Sequence, residues 1–250
     1  MSLNSSVRRF ALLKCRVIDA LPDDVPPSCL VVLNHGFGAP GDDLVDFGPM
    51  LIEAGEAIAE SCRFVFPTAP IDLGPMGMPD GRAWWPINMA RLAQIHATQD
   101  FDQLTGLEPP GMSEAGDLLT AAIREMQREW GLTDAELVLG GFSQGAMVST
   151  HVMLSAPFTP ALLVLFSGTM LWRDHWSRLA ESHPGTVVLQ SHGRQDPILP
   201  FATAVQLRDL LTQTGFSVEF MEFNGPHTIP MQVLQRLQER IEECIRIGRE

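Results

Sequence analysis

The sequence predicts an α/β protein in which a mostly parallel central sheet is covered by helices on both faces. Short, almost wholly apolar runs are bounded by glycine, proline or asparagine, which is typical of strands buried on both faces. Between these runs lie longer stretches whose apolar residues recur at helical spacing. Alternation of the two kinds of element favours crossover connections, and therefore parallel strands with helices on either side.

Six apolar runs are predicted to be strands. They cover residues 29–34, 62–66, 136–139, 161–166, 186–190 and 217–223. A segment before them, residues 8–19, is expected to add an edge strand or a hairpin. Helices are predicted around residues 118–130, 205–211 and 233–245, where apolar side chains share one helical face. Ser113 is the expected N-cap of the first of these helices.

Residues 68–111 break the alternation. They are rich in proline, glycine, methionine and tryptophan and have weak periodicity. A stretch of this length without clear elements is either functional or disordered, and its large apolar side chains argue against a free linker. We expect an elaborated loop, with a short helix at residues 89–98, lying over the carboxyl ends of the strands. Because no linker divides the chain, a single domain over residues 1–250 is predicted.

Composition and charge exclude several classes of function. Apolar residues make up 45% of the 250 residues and charged residues 19%, a globular balance. The formal net charge of -13 repels nucleic acid, so no nucleic acid partner is expected. No apolar run reaches the ~18 residues of a membrane span, so stable membrane insertion is not expected. The sequence leaves the oligomeric state open.

The four cysteines are spaced neither as a C-x-x-C pair nor as a metal-ligand cluster with histidine. Reduced thiols packed as small apolar side chains are the expected arrangement. No signal-peptide core follows the N-terminal arginines, so a cytoplasmic location is predicted. We expect neither a metal nor a cofactor.

The pentapeptide Gly141-Phe142-Ser143-Gln144-Gly145 matches the pattern G-x-S-x-G. It follows a predicted strand and precedes an apolar helical stretch, which is the context of a nucleophilic serine on a tight strand-to-helix turn. The small residues two before and two after the serine avoid collisions in that turn. The alternative is an ordinary glycine-rich connection with Ser143 as an N-cap.

The chain order of a serine triad in this context is serine, then acid, then histidine. His227 lies in a loop after the last predicted strand, and His192 is the other histidine that follows a strand end. His192 comes before the acid candidate Asp196, so the order favours His227 as the base. Asp196 follows the strand at 186–190, although an aspartate before Pro197 is also a common turn former.

Two backbone amides are expected to bind the oxyanion of the reaction. One is the amide of Gln144, the residue after the nucleophile. The other is the amide of Phe37, in the glycine-containing loop that follows the strand at 29–34.

Four segments resemble the carboxylesterase, lysophospholipase and acyl-protein thioesterase family of small α/β hydrolases. They are LNHGFG at 33–38, GGFSQGA at 140–146, HGRQDPILP at 192–200 and GPHTIP at 225–230. The segments are spread along the chain in the order of the family. The resemblance implies the α/β-hydrolase fold and cofactor-free hydrolysis of esters or thioesters. It implies a triad of Ser143, Asp196 and His227, with oxyanion donors at Phe37 and Gln144.

The predicted function is that of a serine hydrolase cleaving carboxylic esters or thioesters with an apolar acyl group. Trp84, Trp85, Met76 and Met78 are predicted to line the acyl pocket, and the alternative is ordinary packing of a long loop. The predicted partner is a small-molecule or acyl ester substrate. An amidase or lactone hydrolase on the same fold, or a non-catalytic ligand-binding homologue, are the alternative functions.

Overall fold

The computed structural model describes residues 2–106 and 108–248, and within them an eight-stranded sheet forms the centre. The strands are β1 (Asn4–Phe10), β2 (Leu13–Asp19), β3 (Cys29–Asn34), β4 (Cys62–Pro67), β5 (Ile71–Asp72), β6 (Arg82–Ala83), β7 (Leu137–Phe142), β8 (Leu162–Phe166), β9 (Val187–Gly193) and β10 (Ser217–Phe223). The central sheet has the order β1-β2-β4-β3-β7-β8-β9-β10, and β5 pairs with β6 apart from it. Neighbours from β4 to β10 are parallel, while β2 pairs antiparallel with both β1 and β4.

Helices connect the strands. They are α1 (Phe47–Ala54), α2 (Glu56–Ser61), α3 (Met89–Thr98), α4 (Asp102–Thr105), α5 (Met112–Trp130), α6 (Gln144–Ser155), α7 (Arg173–Ala180), α8 (Phe201–Gln213) and α9 (Met231–Ile247). Short 3-10 turns lie at Gly74–Met76 and Asp134–Glu136.

The two faces of the sheet carry separate apolar cores, as the period of two along a strand requires. In β3, Leu30 and Val32 pack into one core, whereas Val31 and Leu33 pack into the other. The first core is covered by α5, α6, α7 and α8, and the second by α1, α2 and α9. The predicted α/β fold with helices on both faces is confirmed.

The observed strand bounds follow the apolar runs closely. Strands β3 and β10 have the predicted limits, and the other four differ from the prediction by one to three residues at an end. Residues 8–19 form most of the β1–β2 hairpin at the sheet edge. The predicted N-cap was wrong: α5 begins at Met112 after Gly111, whose φ of +89° is accessible to glycine without a Cβ clash. Ser113 instead donates its hydroxyl to the carboxylate of Glu108 at 2.6 Å.

Residues 68–111 contain more regular structure than an elaborated loop. The segment forms the small β5–β6 ribbon, the predicted helix at α3, and the single turn α4. Backbone hydrogen bonds join the start of the ribbon's second strand to the loop after β3, from Gly38 to Arg82 and from Arg82 to Ala39. The segment therefore lies against the loop predicted to bind the oxyanion.

Parallel strands place their carboxyl ends at one edge of the sheet. The segments that follow β3, β7, β8, β9 and β10 therefore meet along one crevice, the usual ligand site of an open α/β sheet. The predicted nucleophile, acid, base and oxyanion donors all lie in these segments.

Candidate active site

Ser143 occupies the sharp turn between β7 and α6. Its φ of +54° and ψ of -118° are costly for a residue with a Cβ, and its amide donates to the carbonyl of Phe166 at 2.8 Å. A Cβ built on Gly141 would lie 2.3 Å from the carbonyl oxygen of Asn34, and one on Gly145 would lie 1.9 Å from it. Both glycines of the motif are therefore required by the close approach of the β3 backbone.

The loop after β3 runs directly beside the serine. A Cβ added to Gly36 would lie 3.3 Å from the Cβ of Ser143. Within the part of the chain that the structure describes, the amide of Phe37 has no protein acceptor. The amide of Gln144 begins α6 and likewise has none among those residues. The loop beside the serine thus contains a free amide, and the helix that follows the serine begins with another.

His35 holds this loop in place. Its Nε2 accepts a hydrogen bond from the amide of Ala69 at 3.1 Å, so the ring proton is on Nδ1, 2.8 Å from the carbonyl oxygen of Gly36. Burial lowers the pKa of His35, which keeps the ring neutral. The ring therefore fixes the backbone of the loop that contains Phe37.

Asp196 and His227 are in contact at the ends of neighbouring strands. The Nδ1 atom of His227 lies 2.6 Å from Oδ2 of Asp196. The other carboxylate oxygen, Oδ1, accepts from the amides of Ile198 and Leu199 at 2.8 and 2.9 Å. The ring of His227 packs on Phe142, the residue before the serine, with centroids 4.6 Å apart. His227 therefore lies beside the residue that precedes the predicted nucleophile, with the predicted acid against its Nδ1 atom.

The carboxyl group of Asp196 is buried and remains ionised. Burial by itself raises the pKa of this carboxyl group, but hydrogen bonds from His192, His227 and the Leu199 amide outweigh that effect. The net result is a pKa well below the ordinary range. The contact of His192 with this carboxylate, at 3.3 Å, was not predicted, although its i,i+4 spacing from Asp196 was visible in the sequence.

An apolar pocket of about 330 Å³ opens beside the site. Its walls come from α3, α4 and the proline-rich segment before α5, facing side chains at the ends of β8 and β9. The side chains nearest the sheet are Trp85, Met147, Thr169, Leu171 and Leu199. The covering side chains include Leu92, Ile95 and Leu104.

Of the four side chains predicted to line an acyl pocket, Trp85 lies in the wall of this cavity. Trp84 is not part of the lining of this cavity and is fully buried. Its indole N–H donates to the carbonyl of His35. Met76 sits at the exposed turn before β6, 57% exposed. Met78 lies near the loop after β3, with its sulfur 3.7 Å from a Cβ placed on Gly38.

The side chain of Gln144 forms two hydrogen bonds that the sequence did not indicate. Its Oε1 accepts from the amide of Trp84 and its Nε2 donates to the carbonyl of Trp85, both at 2.9 Å. The residue after the serine therefore fixes the backbone of the two tryptophans.

The described residues contain no group of three or more histidine, cysteine or carboxylate side chains arranged to hold a metal ion. Among the helices of residues 2–106 and 108–248, none is both long and apolar enough to cross a membrane. The four cysteines are free, and three of them are buried.

Comparison with known proteins shows extended similarity. Residues 17–245 match the model of the phospholipase/carboxylesterase family. Acyl-protein thioesterase 1 of Candida albicans is 28% identical over 205 residues, 78% of this chain and 82% of that protein. Acyl-protein thioesterase 1 of Kluyveromyces lactis is 26% identical over 231 residues, 89% of this chain and 94% of that protein.

Solved structures share the fold. Esterase PE8 has a TM-score of 0.71 and 25% identity, and the match covers 98% of this chain and 100% of that one. A carboxylesterase from Mesorhizobium loti has a TM-score of 0.70 at 18% identity, covering 94% and 97%. Because the family match spans nearly the whole sheet, the chain belongs to the phospholipase/carboxylesterase family of α/β hydrolases and is a carboxylic ester hydrolase.

Proposed function

We propose that the protein cleaves carboxylic esters or thioesters with an apolar acyl group, using Ser143 as nucleophile, His227 as base and Asp196 as the orienting acid. The observation that carries the proposal is the 2.6 Å contact between Nδ1 of His227 and Oδ2 of Asp196, beside a serine with a φ of +54°. A carboxylate on Nδ1 holds the proton there. Nε2 is then unprotonated and able to accept a proton from serine.

The reaction proceeds in two steps. In the first, the Ser143 hydroxyl attacks the substrate carbonyl while Nε2 of His227 takes its proton. The tetrahedral intermediate collapses, and the same proton goes to the departing alcohol or thiol. In the second step His227 deprotonates a water that attacks the acyl-serine ester. The acid leaves and the proton returns to Ser143.

The negative charge of each tetrahedral intermediate is placed against the amides of Phe37 and Gln144. Both lack a protein acceptor among the described residues, and both border the serine. Such preorganised donors stabilise an oxyanion more than a ground-state carbonyl. The hydrogen bonds of the His35 ring with the Ala69 amide and of the Gln144 side chain with the Trp84 amide restrain the two backbone segments that carry these donors.

The acyl chain is placed in the 330 Å³ pocket against Trp85, Met147 and Leu199. Its lining is predominantly apolar, and the covering side comes from α3 and α4. This supports a substrate with an alkyl acyl group. The two fungal relatives are named as acyl-protein thioesterases, which makes a thioester series part of the test.

A fluorophosphonate probe and an acyl-ester panel test the proposal together. We expect wild type to be labelled at Ser143 and to turn over butanoyl to decanoyl esters, and Ser143→Ala to be neither labelled nor active. Turnover that is unchanged in Ser143→Ala would refute the assignment of the nucleophile. Amide and lactone substrates in the same panel decide between the ester assignment and the alternative hydrolase classes.

The buried, free cysteines fit the proposed cytoplasmic location.

A further inference from the structure

His192 is a buried histidine that the proposed reaction does not use. It lies near the end of β9 and its side chain is fully buried. Its Nε2 is 2.9 Å from the carbonyl oxygen of Leu199 and 3.3 Å from Oδ2 of Asp196. The edge of its ring faces Phe201, with centroids 6.2 Å apart.

The hydrogen-bond partners determine the protonation of this ring. Both neighbours of Nε2 are acceptors, since one is a carbonyl and the other an ionised carboxylate, so Nε2 carries a proton. The second nitrogen, Nδ1, has no partner within the described residues and no contact with solvent. A proton on Nδ1 would be a buried donor without an acceptor, which is costly. The ring therefore carries its proton on Nε2, and this N–H is bonded to the carbonyl of Leu199 and lies beside the carboxylate of Asp196.

Three hydrogen bonds thus hold the carboxylate of Asp196, and the N–H of His192 lies close beside it. The amides of Ile198 and Leu199 hold Oδ1, while His227 and His192 both approach Oδ2. Leu199 closes the arrangement, because its amide donates to Asp196 and its carbonyl accepts from His192. The plane and direction of the carboxylate are consequently determined from both sides.

We propose that His192 is a positioning residue for ester hydrolysis, whose N–H orients the Asp196 carboxylate toward His227 and withdraws part of its negative charge. The inference rests on the proposed triad role of Asp196. His192 does not face the reaction crevice, since its side chain has no exposed area. It acts through Asp196, and Asp196 acts through His227.

The direction of the effect follows from the charge. An N–H that shares the carboxylate weakens the attraction between Asp196 and a protonated His227. Removing this donor strengthens that attraction, so His227 stays protonated to a higher pH. Because only neutral His227 can accept the serine proton, the rising limb of the activity profile moves to higher pH.

The titratable groups facing this carboxylate are few. Within the described residues, His192 and His227 are the ionisable side chains that contact Asp196. On the neighbouring strand, Glu222 lies opposite His192 in the β9–β10 register, but it is exposed and paired with Arg194. The pH profile therefore reports mainly the coupling among the three buried groups.

The matched variants His192→Gln and His192→Met separate the donor from the volume. Both side chains are unbranched and similar in length, but only glutamine can place an N–H near Oδ2 of Asp196. With a butanoyl ester we expect His192→Met to lower kcat roughly tenfold, since the N–H beside the carboxylate is lost. Its profile of kcat against pH should rise roughly half a unit later than that of wild type. His192→Gln should restore both quantities, and KM should change in neither variant.

Two results would overturn the inference. One is a His192→Met enzyme whose kcat and pH profile match wild type. The other is equal loss in both variants without a change in the profile, which indicates packing alone. Asp196→Asn is measured in parallel: if it retains full activity the triad itself fails, whereas its loss with an unaffected His192→Met rejects only the role of His192.

A measurement on wild type keeps the test independent of whether the methionine variant folds. Nitrogen NMR of histidine-labelled protein distinguishes a protonated from an unprotonated ring nitrogen. We expect one ring to carry its proton on Nε2 and none on Nδ1, and its signals to vanish in His192→Gln. Titration of that ring together with the activity, or an Nδ1–H form, would contradict the proposal.

Discussion

The indole nitrogen of Trp84 donates a hydrogen bond to the carbonyl oxygen of His35 at 3.0 Å. The amide of the same tryptophan donates to the side chain of Gln144. Trp84 therefore joins the two backbone segments that carry the proposed oxyanion donors, rather than forming a wall of the acyl pocket. This connection separates the roles of the two adjacent tryptophans.

Trp84→Phe should lower kcat by a similar factor for every acyl length, because it loosens the oxyanion loop and leaves the pocket wall intact. We expect a loss between roughly tenfold and a hundredfold, less than or equal to removal of one oxyanion donor. The measurement is kcat/KM across acetyl to decanoyl esters. A loss confined to long chains would mean that Trp84 contacts the acyl group.

Trp85→Ala should act in the opposite way. In wild type each buried methylene contributes ~0.8 kcal/mol, so kcat/KM should climb by up to a few-fold per carbon until the pocket is full. Removing the indole from the 330 Å³ pocket should flatten the climb and leave acetyl esters nearly unchanged. Circular dichroism checks that the variant is folded. Equal loss for all chain lengths would place the acyl chain elsewhere.

Replacing Ser143 should separate activity from stability. Ser143→Ala should reduce ester hydrolysis on the order of a millionfold, as loss of a triad nucleophile does. Ser143→Gly should be equally inactive, but its free energy of unfolding in urea should exceed that of Ser143→Ala by about 1 kcal/mol. Glycine relieves the strain at a φ of +54°. A glycine variant less stable than the alanine variant would show that this backbone is not strained.

Gly145→Ala should be strongly destabilising although the residue lies in a helix, where alanine is normally preferred. The new Cβ would lie 1.9 Å from the carbonyl oxygen of Asn34, so β3 and α6 must separate. We expect a loss of about 3 kcal/mol or more in the free energy of unfolding. Gly48→Ala in α1 is the matched control, since its Cβ meets only ordinary contacts at 3.4 Å and beyond. Equal tolerance of both substitutions would contradict the packing described for the serine turn.

Asp196 should make stability depend on acid pH. The folded-state pKa is below the unfolded value, because hydrogen bonds from His192, His227 and Leu199 outweigh burial, which alone would raise it. The stabilisation is therefore present above the unfolded pKa of about 3.9 and is lost as pH falls through the folded value. The resistance of wild type to urea unfolding should fall below about pH 4, whereas the stability of Asp196→Asn should depend less on pH there. Parallel curves for the two proteins would argue against an ionised Asp196.

Much of the fold could be predicted because its signals are local. The six apolar runs became strands within a few residues, and the helix expected at 89–98 is α3. The motif around Ser143 is also recognisable from its sequence, because only glycine fits at positions 141 and 145 where the backbone of β3 passes. Ser143, Asp196 and His227 each follow a parallel strand, so they lie at the same edge of the sheet.

Other features could not be predicted from local sequence patterns. The expected N-cap at Ser113 was displaced by Gly111, because a glycine in the left-handed region let the helix begin two residues sooner. Neighbouring Trp84 and Trp85 have similar chemistry but different surroundings, one bonded to His35 and the other facing the pocket. Their directions depend on which distant backbone groups need a partner.

The sequence by itself determined most of the central strands and the longer helices, the family, and the candidates for nucleophile, acid and base. Those properties depend on periodicity and on motifs a few residues long. Only the tertiary structure decided that His192 contacts Asp196, that Gln144 fixes both tryptophans, and that α3 covers an apolar pocket. Each of these joins groups brought together by the packing of several elements, and a buried donor or acceptor is satisfied by whichever partner that packing supplies.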